Sequence, residues 1–143
     1  MKARHQARQW AVQLLFQRDF NADFSEEGFW QDQPHHTQAR AFAEVLYSGV
    51  LEHIDEIDDR LERYSENWRL DRMGAVDRNI MRLALFEFFY RTDIPPVATL
   101  DEAIILAREL SNEDSAKFVN GILDRAIREL DRPLRTSLPK EEN

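Results

Sequence analysis

The sequence predicts an all-α domain of about seven helices, and three observations lead there. Residues 76–90, VDRNIMRLALFEFFY, hold no Gly, no Pro and one β-branched pair, Val76 and Ile80, so helix is the favoured local structure. Within them Ile80, Met81, Leu83, Ala84, Leu85, Phe86, Phe88 and Phe89 cover nearly every side, the pattern of a helix enclosed by other helices. Elsewhere apolar residues recur at spacings of three and four, and no segment reads as a strand. Asp77, Arg78, Arg82 and Glu87 interrupt the central run, which is too short to cross a bilayer. It is the post of a helical bundle.

The other elements follow in order. Ala3 to about Arg18 is the first helix, with Ala7, Trp10, Ala11, Leu14 and Leu15 as its apolar stripe. His5, Val12 and Phe16 fall on a flank away from that stripe, with Arg8 beside them. Lys2 and Arg4 sit at the helix start, where the dipole disfavours cations. Residues 21–36 read as a loop pinned by Phe24, Phe29 and Trp30. Thr37 caps the second helix, which runs to His53 with Phe42, Val45, Leu46 and Leu51 inward. Ile54 to about Tyr64 is the third, with Ile54, Ile57, Leu61 and Tyr64 on one face. Ser65 to Gly74 is turn-like, with Trp68, Leu70 and Met73 as apolar anchors.

After the central helix, Ile94-Pro95-Pro96 keeps the chain extended. Thr99 to Glu102 matches a capping box for a helix reaching about Leu110. A last helix spans about Ser115 to Leu130, with Val119, Ile122, Leu123, Ala126, Ile127 and Leu130 inward. Pro133 ends it, and residues 135–143 read as a frayed tail.

A chain of 143 residues, 43% hydrophobic and 32% charged, makes one domain over 1–143 with a real core. The lack of Cys fits a reducing compartment, and the lack of a signal-peptide pattern or a spanning segment makes the cytoplasm the expected location. The net charge of −8 argues against bulk attraction to nucleic acid. Residues 1–18, however, carry four cations (Lys2, Arg4, Arg8, Arg18) and no acid, which leaves −12 on the other 125 residues. A basic end on an acidic body suggests a local anion site.

Catalytic patterns are missing. Four Gly cannot supply a phosphate-binding loop, and there is no GxSxG elbow. His5, His35, His36 and His53 lack metal-ligand spacing, and Glu52, Asp55, Glu56, Asp58 and Asp59 read as a solvated helix face. No enzyme, metal or cofactor is expected. Three positions carry two readings each. Phe16 either packs on a neighbouring element or offers a stacking platform for an unpaired base beside cations. Glu87, flanked by Leu83, Ala84, Tyr90 and Arg91, either pairs with Arg91 on the surface or accepts from a protein partner. In Lys117-Phe118-Val119-Asn120-Gly121, the mid-helix glycine costs about 1 kcal/mol against alanine. A neighbouring helix or a ligand is therefore expected to approach it closely.

At these residues the chain resembles the NusB family of bacterial transcription antitermination factors. Three blocks carry the resemblance in the family's order: ARHQARQWAVQLLFQ from Ala3, NWRLDRMGAVDRNIMRLALFE ending at Glu87, and IPPVATLDEAIILARELSNEDSAKFVNGILDRA from Ile94. SAKFVNGILD is the most specific piece. The resemblance implies two packed three-helix bundles and RNA binding without catalysis. It implies partners too: boxA single-stranded RNA of ribosomal RNA leader transcripts, the ribosomal protein NusE, and an antitermination complex on RNA polymerase. By position it assigns Lys2, Arg4, Arg8, Phe16, Lys117, Phe118 and Asn120 to RNA and Glu87 to NusE; His5 joins the RNA candidates, and Leu83, Ala84, Tyr90 and Arg91, the helical neighbours of Glu87, complete the candidate partner strip. The first helix departs from the family in having fewer arginines, with His5 and Gln6 at matching positions. Two alternatives stay open: a protein-binding helical scaffold without RNA binding, and a stand-alone relative of the NusB-like domain of rRNA cytosine methyltransferases.

Overall fold

The computed structural model describes residues 2–66 and 68–138, Lys2 by its backbone alone. They form seven α-helices: α1 (Lys2–Phe20), α2 (Glu26–Gln31), α3 (Thr37–Glu52), α4 (Ile54–Ser65), α5 (Ala75–Tyr90), α6 (Pro96–Leu110) and α7 (Glu113–Ile127). A single 3-10 turn, Leu70–Arg72, leads into α5. Among the described residues there is no strand, and no helix is long and apolar enough to cross a membrane.

The α5 helix is the post the sequence predicts. Every residue from Asn79 to Phe88 is buried, and the helix touches α1, α3, α4, α6 and α7. α1 packs along α3, and α6 along α7, with α5 in contact with both pairs. Its polar residues survive burial by pairing. Arg82, only 8% exposed, donates to Asp58 of α4 at 2.8 and 2.9 Å and to Asp19 of α1 at 3.0 Å. Arg78 and Asn79 each reach the same Asp19 carboxylate at 2.8 Å. One cluster thus ties α1, α4 and α5 together at their polar seams.

Close packing at α3 rests on Gly49. The Phe86 ring of α5 occupies the space a Cβ would take there, so only glycine lets the two helices meet at that point. At Gly121 a Cβ would meet nothing within 4 Å. No neighbouring helix approaches Gly121, and the tight helix contact belongs to Gly49.

Several boundaries differ from the sequence reading. The expected 21–36 loop contains α2, whose Trp30 packs edge-on against Trp10 with ring centroids 5.4 Å apart. His36, not Thr37, caps α3, its Nδ1 accepting from the Ala39 amide at 3.1 Å. Val45 is 46% exposed, because the buried stripe runs through Ala39, Ala43, Leu46, Tyr47 and Val50. Val12 is buried with the stripe of α1 rather than lying on an outer flank.

The capping box at Thr99 does not form. α6 starts four residues earlier, capped by Pro95 with Pro96 in its first turn, where a missing N–H costs nothing. Asn112 caps α7 through Ser115 N at 2.8 Å, so the helix begins at Glu113 and ends at Ile127 rather than Leu130. The tail is partly stitched: Leu138 N donates to Thr92 O at 2.7 Å and Val97 N to Leu134 O at 2.9 Å. Residues 139–143 of the expected frayed tail lie outside the described residues.

Candidate nucleic-acid interface

The first half of α1 brings Arg4, His5 and Arg8 against α3, α5 and α6. The Arg4 guanidinium lies 4.6 Å over the Phe42 ring, which also has Arg91 at 5.5 Å and Arg8 at 5.8 Å. His5 spans two acids of α6, with Nδ1 2.8 Å from Glu102 and Nε2 2.9 Å from Glu109. The bond to Glu102 raises the His5 pKa above its ordinary value, burial opposes it, and Glu109 adds to the rise. Lys2's side chain falls outside the described residues.

Arg8 is not the free phosphate-binding cation that the sequence suggests. It is 5% exposed, and its Nε and Nη2 each donate to Glu87 at 2.9 Å. Burial alone would lower the Arg8 pKa, but the Glu87 carboxylate outweighs it and the net direction is up. The Thr99 hydroxyl donates to Glu87 Oε1 at 2.7 Å. Glu87 therefore spends its acceptors inside the chain.

This corrects the partner strip. Glu87 is 1% exposed, and Leu83 and Ala84 are buried beside it, because that face of α5 meets α1 and α6 rather than solvent. Neither a surface pair with Arg91 nor an acceptor open to a partner exists there. Only Tyr90 and Arg91, at the end of the strip, are partly exposed. Arg91 pairs with Asp93 at 2.8 Å. Tyr90 stacks on His53, with centroids 3.9 Å apart and planes 12° apart, and its hydroxyl donates to Glu56. Burial first, and that carboxylate second, push the Tyr90 hydroxyl up to about 12.

Phe16 combines its two readings. It is partly buried and leans on Phe20, with centroids 4.9 Å apart. It also lines an open groove of about 640 Å³ with Val12, Phe24, Phe29, Val76 and Leu110. Phe20, 70% exposed, extends this ledge. Sequence reasoning missed it because it lies at the very end of α1, beyond the expected stop at Arg18.

On α7, Lys117 and Asn120 are exposed, and Phe118 is partly buried against Trp68. The Trp68 and Phe118 rings meet at 76° with centroids 5.7 Å apart. Trp68 was expected as an inward anchor and is 53% exposed instead. The structure thus gathers the predicted residues in separate places: Arg4, His5 and Arg8 at the α1–α6 seam, Phe16 in the groove under α2, and Lys117, Phe118 and Asn120 on α7. Among the described residues no group of three or more His, Cys, Asp or Glu is placed to hold a metal ion.

An all-helical scaffold whose exposed aromatics stand beside cations, with its buried ions spent on internal pairing, has the features of a binding protein. The model of the NusB family matches residues 5–128, and the chain belongs to that family. It is 41% identical to the transcription antitermination protein NusB of Myxococcus xanthus, over 93% of this chain and 100% of that one. T. maritima NusB superimposes with a TM-score of 0.80 at 39% identity, covering 90% of this chain and 93% of the other. A crystal structure of the antitermination factors NusB and NusE in complex with dsRNA contains a chain that superimposes with a TM-score of 0.77. That chain is 26% identical, with 90% of this chain and 98% of the other covered.

Proposed function

We propose that this protein is a transcription antitermination factor that binds boxA-type single-stranded RNA of rRNA leader transcripts together with NusE, on RNA polymerase elongation complexes. The observation that carries the reading is the surface of α7, where exposed Lys117 and Asn120 flank the partly exposed ring of Phe118. A stacking face beside a cation is what an unpaired nucleotide requires. Relatives named as antitermination proteins, and a similar chain solved with NusE and RNA, support it. Arg4, Phe16, Lys117, Phe118 and Asn120 are the RNA-facing residues of this reading, with Lys2 and His5 at the start of α1. Arg8 acts through Glu87, holding α1 in place. Tyr90 and Arg91 are the remaining candidates for NusE contact.

A second reading is a helical scaffold that binds protein and not RNA. The observation favouring it is that Arg8 and His5 are already engaged by Glu87, Glu102 and Glu109, which leaves few cations for phosphates. Calorimetry of a short boxA-type oligoribonucleotide, with and without NusE, separates the two. The RNA reading expects weak binding alone and a coupled gain with NusE of about 1–3 kcal/mol, shared reciprocally by both ligands. No RNA binding under either condition, with NusE still bound, would favour the scaffold.

A further inference from the structure

Trp68 is 53% exposed, whereas the chain's other tryptophans, Trp10 and Trp30, are buried. A half-exposed indole forgoes much of the burial that makes the residue stabilising. Its backbone is nonetheless anchored. Trp68 N donates to Ser65 O at 3.2 Å, and the buried Ser65 hydroxyl lies 3.0 Å from the Trp68 carbonyl. Between them Glu66 has φ 48°, a left-handed conformation uncommon outside glycine. Arg125 of α7 donates to the Tyr64 carbonyl at 2.6 Å and so ties the end of α4 to α7. The ring stands out from a tethered turn.

It faces a groove of about 270 Å³ that is also lined by Phe118, Lys117, Arg125 and Gly121. A Cβ at Gly121 would meet nothing within 4 Å, so no helix packs there and the groove is open over the bare backbone. With the two rings at 76°, an entering planar group meets one by its face and the other by its edge. Lys117 and Arg125 flank the opening, and Glu66, 4.0 Å from Arg125, offsets only part of that charge. Crossed aromatic rings, bare backbone and flanking cations suit an unpaired nucleotide, which brings both a π-face and a phosphate.

We propose that Trp68 and Phe118 form a subsite for one unpaired base of the bound RNA, with Gly121 leaving room for the base and Lys117 and Arg125 meeting its phosphates. This deepens the RNA-binding reading and rests on it.

The test titrates a short single-stranded boxA-type oligoribonucleotide into the full chain with NusE present, comparing the native protein with Trp68→Ala, Trp68→Phe and Gly121→Leu. Trp68→Ala and Gly121→Leu should each weaken binding about 5- to 150-fold, and Trp68→Phe should recover most of the loss. RNA should quench the native tryptophan emission and leave that of Trp68→Phe, which keeps Trp10 and Trp30, nearly unchanged. Because the quenching is read on the native protein, a variant that folds poorly does not blunt the test. Native affinity in Trp68→Ala with no quenching in the native chain overturns the subsite while RNA binding stands. A native chain that binds no RNA overturns both readings. Loss of NusE affinity alone in Trp68→Ala makes the groove a protein contact and overturns the subsite.

Discussion

Arg8 and Glu87, 79 residues apart in the chain, form a two-pronged ion pair with both bonds at 2.9 Å. Their side chains are 6% and 1% exposed. Removing one partner would strand the other charge where water cannot reach it, a loss of about 3–5 kcal/mol. Arg8→Ala and Glu87→Lys should both show losses of that size by denaturant titration. A cost below about 1 kcal/mol would show that solvent enters the pair. The loss concerns folding, so either variant is a poor probe of phosphate or partner contact.

Gly49→Ala tests the seam between α3 and α5. The new methyl group would occupy space held by the Phe86 ring. Overpacking at such a site typically costs about 1–3 kcal/mol. Thermal unfolding should show a lowered midpoint, whereas Gly121→Ala, with open space around its Cβ, should leave stability unchanged or improve it. Equal behaviour of the two variants would refute the assignment of the tight contact.

His5 gives a pH signature. Its folded pKa is raised above 6.5 by Glu102 and Glu109, so the folded state binds the His5 proton more tightly than the unfolded one. The stabilisation is complete below the unfolded value and is lost as pH rises through the folded one. NMR titration of His5 should give a midpoint above 6.5, and His5→Gln should remove this part of the pH dependence. A midpoint at or below the ordinary value would mean that the bridge across α6 does not persist in solution.

Salt titration separates the RNA contacts. With about four phosphates met by Lys2, Arg4, Lys117 and Arg125, log K should fall with log[salt] at a slope of about −3. Lys117→Ala should flatten the slope by about 0.7. Phe16→Ala should weaken binding by about 1–3 kcal/mol and leave the slope alone, since stacking displaces no counterions. If neither change moves affinity, the RNA lies on another face.

The helices were legible because α5 is apolar on nearly every side and its neighbours keep apolar spacings of three and four, signals that survive without tertiary context. Caps were less so. The Thr99–Glu102 pattern is a valid local signal, overridden because Pro95 and Pro96 start the helix earlier and because Glu87 recruits the Thr99 hydroxyl. Glu87 itself was misplaced for a general reason. A carboxylate on an apolar strip looks like an interface acceptor until a cation from distant sequence is known to reach it, and Arg8 arrives from 79 residues away. Trp68 shows the converse: composition marks it as an anchor, and only the folded turn reveals it facing solvent.

Arg132 closes the far end of α5, its guanidinium donating to Phe88 O at 3.0 Å, Ile94 O at 3.1 Å and Thr92 O at 3.3 Å. Those carbonyls leave the ribosome some forty residues before the group that satisfies them. At about 5–20 residues per second, the nascent chain spends several seconds with these carbonyls awaiting Arg132. Satisfaction of these carbonyls by Arg132 is therefore deferred until the chain beyond α7 has been made.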